Sequence, residues 1–441
     1  MKIQKCSQFI RSLFPIAMVL ALLSIPAQAS PASKEQILST WYGLILKLVR
    51  HTATYSPPLA SRNFAYLGVA SYEAIASGDD HLVSLAGQLH DLKSLPKREK
   101  GKAYDDAIVL NATLAQSMQN FFGNTGPSGQ NALHATSLEM FKQASNDVPA
   151  DVAKRSEAYG QSIALNVFKW SKSDGGATII NMGFPLKYEL KKGSEHWQPT
   201  NQQALQHTPL LPNWGKNRPF AMPANATCDL PPPPAYSEDK DSEFYKQAAE
   251  VYAVKNGAGT EQKAIARFWS DDPMLSPTPP GHWVSIVMQI SARDHLPAAK
   301  TAEALARVGI AVADAFIGCW HTKYEYDLVR PVTYIKKNID PKWDTLLITP
   351  PFPEYPSGHS SQSGAAASVL TSMFGDLFAF DDATHIADNI PARHFESFNA
   401  AAQEAAISRL YGGIHFRAAI ERGLRQGHCI GNYASDLRMA Q

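Results

Sequence analysis

The sequence predicts an all-α protein, built as one helical bundle or as two packed sub-bundles. Three observations carry this. Apolar residues recur at three- and four-residue spacing through most of the chain. Runs that alternate apolar with polar residues, as a half-buried strand would, are scarce. No stretch repeats at a fixed period, which sets solenoids aside. With 441 residues the chain can bury one large core or two smaller ones. At 44% apolar and 18% charged residues it has the composition of a packed protein and not of a disordered one.

Residues 1–29 read as a secretory signal. Lys2, Lys5 and Arg11 form a basic start, Leu13 to Ile25 an apolar run too short to span a bilayer comfortably, and Ala27-Gln28-Ala29 a small-residue cleavage site. No cysteine follows the apolar run as a lipoprotein site would require, and no later segment is apolar enough to cross a membrane. The expectation is a chain exported to the periplasm or the exterior, cut near Ala29, with no transmembrane segment in its mature form.

Residues 30–240 form an N-terminal helical region. Helical periodicity runs through 38–52, 64–76, 103–122 and 159–171. From 172 to 240 the texture changes to Pro, Gly and Asn, an irregular segment of the length that usually covers a site or links domains. Residues 241–441 form the second region. Its helical stretches are 242–256, a long helix over 296–329 ended by Pro331, then 360–378, 398–411 and 418–427, with another irregular piece over 268–283.

Basic residues number 41 and acidic residues 40, a net charge of +1. This balance gives no case for nucleic acid or an anionic membrane surface, so any anion site must be local. Without its signal the chain keeps Cys228, Cys319 and Cys429, enough for one internal disulfide at most. No C-x-x-C pair marks a structural zinc site, and three buried inert thiols are expected.

Three clusters in the last third carry chemistry. In KYEYDLVRP, Lys323 and Arg330 stand seven apart, nearly two helical turns, so on one helix they share a face and can close on a small anion. Lys323 also has Asp327 four residues on, an ordinary surface pair. In PFPEYPSGHSS, Pro356 stiffens the entry, Ser357 offers a hydroxyl, and Gly358 lets a backbone N–H approach a ligand. His359 stands at the mouth of a helix expected to begin near Ser360 or Ser361. An N-cap beside a bystander histidine has the same pattern. In SRLYGGIHF, Arg409 and His415 diverge on a continuous helix, but Gly412-Gly413 can break it and turn both to one point. Together the clusters supply three fixed cations, neutral donors and two titratable nitrogens, as oxyanion chemistry needs. The sequence has neither a phosphate-binding Gly-rich loop nor a carboxylate cluster for Mg²⁺.

In this order the clusters resemble the split signature K-x6-RP, PSGH, SR-x5-H of the type 2 phosphatidic acid phosphatase and vanadium-dependent haloperoxidase superfamily. The resemblance spans Lys323 to His415 and implies an all-α bundle. It implies that His415 binds the oxyanion, as the vanadate ligand in a haloperoxidase or the phosphorylated nucleophile in an acid phosphatase. It further implies that His359 is the general acid/base, and that Lys323, Arg330, Ser357, Gly358 and Arg409 hold the equatorial oxygens. Trp320 and Phe352 resemble aromatic residues beside vanadate in the fungal-type haloperoxidases, and FWSDDP…TPPGHW resembles bacterial members. The expectation is therefore an exported haloperoxidase-like enzyme that oxidises halide with hydrogen peroxide at His-bound vanadate. The alternative is an acid phosphatase needing no cofactor and acting on phosphomonoesters or lipid phosphates. A third reading is a non-catalytic anion-binding scaffold. The pattern departs at Ala419, where the superfamily usually has an acidic residue. Here His415 must be oriented by another group, a backbone carbonyl or a returning Glu421.

Overall fold

Short polar caps and first-turn prolines start the helices, and apolar periodicity decides which face each one buries. The computed structural model describes residues 31–441 apart from 180, 201–206, 225, 227 and 229. The expected signal lies outside the described residues. Helices α1 (Lys34–Arg50), α2 (Pro57–Ala76), α3 (Asp106–Phe122), α4 (Pro127–Ala144) and α5 (Ala150–Ser171) precede the irregular segment. After it come α6 (Glu243–Gly257), α7 (Thr260–Phe268), α8 (Thr278–Arg293), α9 (Ala298–Tyr326) and α10 (Pro331–Asn338). The last are α11 (Gly358–Phe374), α12 (Phe398–Tyr411) and α13 (Arg417–Ser435). Strands β1 (Phe380–Asp382) and β2 (Arg393–Phe395) make a small antiparallel pair, with Phe380 opposite Phe395. Ser33, Asp105, Ser242, Ser357 and Ser397 each accept a first-turn N–H, at α1, α3, α6, α11 and α12.

Helices α4, α7 and α10 have no counterpart among the expected helices, and four further differences have a local reason. Residues 296–329 are not one helix. Asp327 turns left-handed (φ 51°) and its N–H caps the Lys323 carbonyl at 2.8 Å, ending α9, so Lys323 and Arg330 lie on different elements. Arg330 becomes the N-cap of α10, with Pro331 in its first turn. The irregular piece over 268–283 ends early because Pro279 and Pro280 fall in the first turn of α8, where a missing N–H costs nothing. Helix α11 begins at Gly358 because Ser357 is its cap, which puts His359 in the first turn. Helix α13 runs on to Ser435 although Gly423, Gly427 and Gly431 weaken its intrinsic preference.

Helix α9 is buried on nearly all sides and forms the centre of the molecule, with α2 and α11 packed along it. No described helix is long and apolar enough to cross a membrane. Phe64 and Tyr66 of α2 share one core with Leu305 and Val308 of α9, and residues 31–441 form a single compact unit. Within 172–240 the described regular structure is two short 3-10 turns. Asp314 of α9 anchors this segment by accepting the N–H groups of Phe220, Ala221 and Met222 at 2.6–2.8 Å. The cysteines differ from expectation. Cys228 of the irregular segment is disulfide-bonded to Cys429 of α13, and Cys319 alone is a free, buried thiol among the described residues. The pairing joins residues 201 apart, which only the folded contact brings together.

Helix α11 lies against α13 at backbone distance. The three α13 glycines are four residues apart and so share one face. A Cβ at Gly427 would stand 2.0 Å from the Ser361 carbonyl oxygen, and one at Gly431 2.6 Å from that of Ala365. Alanine is the better helix former by ~1 kcal/mol, but overpacking against backbone costs about 1–3 kcal/mol and more when nothing can move. Gly427→Ala is therefore expected to lower stability, by about 1–3 kcal/mol. Equilibrium denaturation in urea checks this. Unchanged or raised stability would show that the two helices can separate.

Candidate active site

Helix termini deliver most of the side chains that the motifs single out. His359 sits in the first turn of α11, and Arg409 in the last turn of α12. His415 lies in the short connection to α13, after Gly413 has turned left-handed (φ 77°) to end α12. The expected Gly-Gly break is thus present. Gly358, His359, Arg409 and His415 line one cavity of about 300 Å³, with Trp320 and Phe352 in its wall. Met182, Phe184 and Leu210 of the irregular segment line it too, so this segment covers part of the site.

His415 is gripped from both ring nitrogens. Its Nδ1 lies 2.8 Å from Glu354 Oε1, which also accepts the Phe416 N–H at 2.8 Å. Arg330 Nη1 stands 3.1 Å from Nε2 and donates to the Ile414 carbonyl at 3.0 Å. A guanidinium can only donate, so Nε2 is the acceptor and the ring proton sits on Nδ1, facing Glu354. This leaves Nε2, which accepts from Arg330 Nη1, as the ring's basic site. Glu354 is fully buried; burial pushes its carboxyl up to about 7, against the pull of Arg330 and Lys323.

The question posed by Ala419 is answered by Glu354. The Ala419 carbonyl accepts the Ser357 N–H at 3.0 Å and so holds the PSGH turn. Glu421 is largely exposed and faces Arg417. Sequence reasoning missed Glu354, although a signal was present: a lone acid among the prolines of PFPEYPSGH, with no solvent-facing partner at helical spacing.

Lys323 departs from the expected role. Its Nζ donates to the carbonyls of Pro353, Glu354 and Pro356 at 2.9, 2.9 and 2.5 Å, which uses all three ammonium protons. It braces the loop that carries Glu354 and the cis Tyr355–Pro356 bond, and contributes charge from behind the cavity. Burial lowers its pKa to about 7. Ser357 caps α11 through Oγ, accepting the Ser360 N–H at 3.3 Å and keeping its own proton to donate.

The remaining cations keep donors unused. Among the described residues, Arg330 Nη2 and Arg409 Nε are buried without a hydrogen-bond partner, and so is the His359 Nε2 nitrogen. Such groups are costly unless something pairs with them. Among the described residues, Arg409 is held by a single protein acceptor, the Trp269 carbonyl, at 2.5 Å. Burial keeps both guanidinium pKa values near 10, so both stay charged. Burial first, and then nearby arginines, push His359 and His415 well below the usual histidine range, so both rings are neutral. Two fixed cations, a neutral imidazole lone pair and a second neutral imidazole fit an oxyanion such as vanadate or phosphate.

The aromatic wall is continuous with this charge. The rings of Trp320 and Phe352 are 4.8 Å apart, and the Trp320 N–H is tied to the Leu210 carbonyl at 3.2 Å. Lys323 Nζ and the Arg330 guanidinium lie 5.1 and 5.0 Å from the Phe352 ring, within cation–π range. A Cβ at Gly358 would stand 3.6 Å from the Trp320 ring, so the glycine leaves space beside that wall.

Known proteins are similar to this chain. The profile of the VCPO second helical-bundle domain matches residues 303–441. The vanadium chloroperoxidase of Curvularia inaequalis is 26% identical over 255 residues, 42% of this chain and 42% of that relative, so the match spans less than half of either chain. A solved structure described as the first bacterial vanadium-dependent iodoperoxidase is 36% identical with a TM-score of 0.84, over 94% of this chain and 99% of that one. A holo-type bacterial vanadium-dependent chloroperoxidase, at 16% identity and TM-score 0.68 over 89% of this chain and 95% of that one, shares the fold.

Removing the Glu354 acceptor should loosen His415. Glu354→Ala is expected to weaken orthovanadate binding by about 10–100-fold, and Glu354→Gln, which keeps an acceptor oxygen, by less. Calorimetric titration of both variants measures this. An unchanged affinity in Glu354→Ala would remove Glu354 from the support of the site.

Proposed function

This chain belongs to the vanadium-dependent haloperoxidases, and we propose that it is an exported enzyme that holds vanadate at His415 and oxidises iodide with hydrogen peroxide. The observation that carries the reading is a pair of buried guanidinium donors without a partner among the described residues, Arg330 Nη2 and Arg409 Nε, beside the unpartnered His359 Nε2 and the basic Nε2 of His415, which accepts from Arg330 Nη1. When bound, vanadate supplies Lewis-acid activation of peroxide: the O–O bond breaks, iodide gives up an electron pair, and hypoiodous acid and water form with uptake of one proton.

The protein's own groups prepare that chemistry. Glu354 fixes the His415 tautomer that presents Nε2 as a ligand. Arg330 and Arg409, with the Gly358 N–H and the Ser357 hydroxyl at the start of α11, would hold the oxyanion's oxygens and neutralise their charge. His359, neutral and unpartnered at Nε2, can take a proton there from an incoming peroxide and return it to the leaving oxygen. Trp320 and Phe352 exclude water from the neighbouring space. Iodide, the most weakly hydrated and most readily oxidised of the common halides, loses least on entering such an apolar wall. The 36% identity to a bacterial iodoperoxidase supports the same choice. The Cys228–Cys429 disulfide supports an oxidising compartment and hence export.

The test is oxidation of iodide, bromide and chloride by peroxide before and after loading with orthovanadate. Vanadate-dependent activity in the order iodide, bromide, chloride is expected. His359→Ala should lower turnover by about 10²–10⁴-fold, and His415→Ala should abolish vanadate binding. No vanadate-dependent oxidation of iodide, together with phosphate release from p-nitrophenyl phosphate, would overturn the proposal in favour of a phosphatase.

A further inference from the structure

A second polar cluster adjoins the same cavity, which Asp271 also lines. Asp271 follows α7, His282 is near the start of α8, and His385 follows β1; all three are buried. His282 Nδ1 is 2.9 Å from Asp271 Oδ2, and His385 Nε2 is 3.1 Å from Asp271 Oδ1. One ligating atom from each residue can be chosen so that all lie within 4.8 Å of one another. Each imidazole is also backed by a carboxylate on its other nitrogen. His282 Nε2 lies 2.7 Å from Asp382 Oδ2, and His385 Nδ1 lies 3.4 Å from Asp388 Oδ2. Trp269 stacks on His282 at 4.4 Å, and Phe268 sets its edge against both rings.

This outer carboxylate–imidazole–inner donor arrangement, made twice around one carboxylate, is the way proteins orient metal-bound histidines. The charge count permits an ion. With both imidazoles neutral, as ligands, a divalent cation and Arg50, which pairs with Asp388, would together balance the carboxylates of Asp271, Asp382 and Asp388. We propose that Asp271, His282 and His385 form a structural site for a divalent transition-metal ion of the zinc class. Two nitrogens and one carboxylate suit such an ion, with water completing a tetrahedron. The ion would join the α7–α8 loop to the segment after β1. It would thereby fix Trp269, whose carbonyl holds Arg409. Burial opposes charge on His282, but Asp271 and Asp382 outweigh it and raise its pKa to about 10, so an entering ion displaces a firmly held proton.

The test uses the untagged mature chain, equilibrated with zinc at about pH 8 and then freed of excess metal. Elemental analysis should find about one zinc per chain, and cobalt(II) in its place should give ligand-field absorption in the visible. His385→Gln should lose both signals. Asp388→Asn keeps all three donors and should weaken zinc binding by about 10–100-fold in competition with a chromophoric chelator. It also keeps the test open if His385→Gln fails to fold. Zinc-free wild type with no cobalt absorption, or an Asp388→Asn affinity equal to wild type, would overturn the proposal and leave a cluster held by hydrogen bonds alone.

Discussion

The packing of α11 on α13, backbone against backbone along Gly423, Gly427 and Gly431, sets where the two site histidines stand. His359 is in the first turn of α11, and His415 comes two residues before α13. Any side chain at those glycines would push one helix off the other and carry its histidine with it. The hydrogen bond from the Ser357 N–H to the Ala419 carbonyl closes the same junction at its end. Sites built on packed helix termini hold their geometry better than sites on free loops.

Electrostatics adds a second constraint. Lys323, Arg330 and Arg409 are buried cations, and Glu354 is the buried acid that faces His415. Burying charge without complete pairing destabilises the fold, and unpartnered donors on both arginines add to that cost. An oxyanion bound among them would supply the missing partners, so ligand binding and stability are linked. Lys323 fits this scheme in an indirect role. By filling itself with the carbonyls of Pro353, Glu354 and Pro356 it stiffens the loop that aims Glu354 at His415.

The helical class and much of the site were legible in the sequence because their signals are local. Apolar spacing marks a helix, and Gly412-Gly413 marks the break that brings Arg409 and His415 to one cavity. Signals that depend on distant partners were not legible. Glu354 looks like filler between prolines until the fold brings it to a histidine sixty-one residues on. The expected 418–427 stops short of the full α13, Arg417–Ser435, whose glycines pack against α11, a partner the sequence does not show. The end of α9 was overrun because nothing in KYEYDLVRP announces that Asp327 turns left-handed.

The state of the cysteines would matter to a protein with the proposed product, which attacks sulfur. A free surface thiol would be among the first groups to consume a hypohalous acid. Here Cys228 and Cys429 have already given up their thiols to each other, and Cys319 is sealed in the core with its sulfur toward the Pro356 carbonyl. The described residues therefore present no exposed thiol. A new cysteine engineered onto its surface would act as an internal scavenger, quenching product before it could leave.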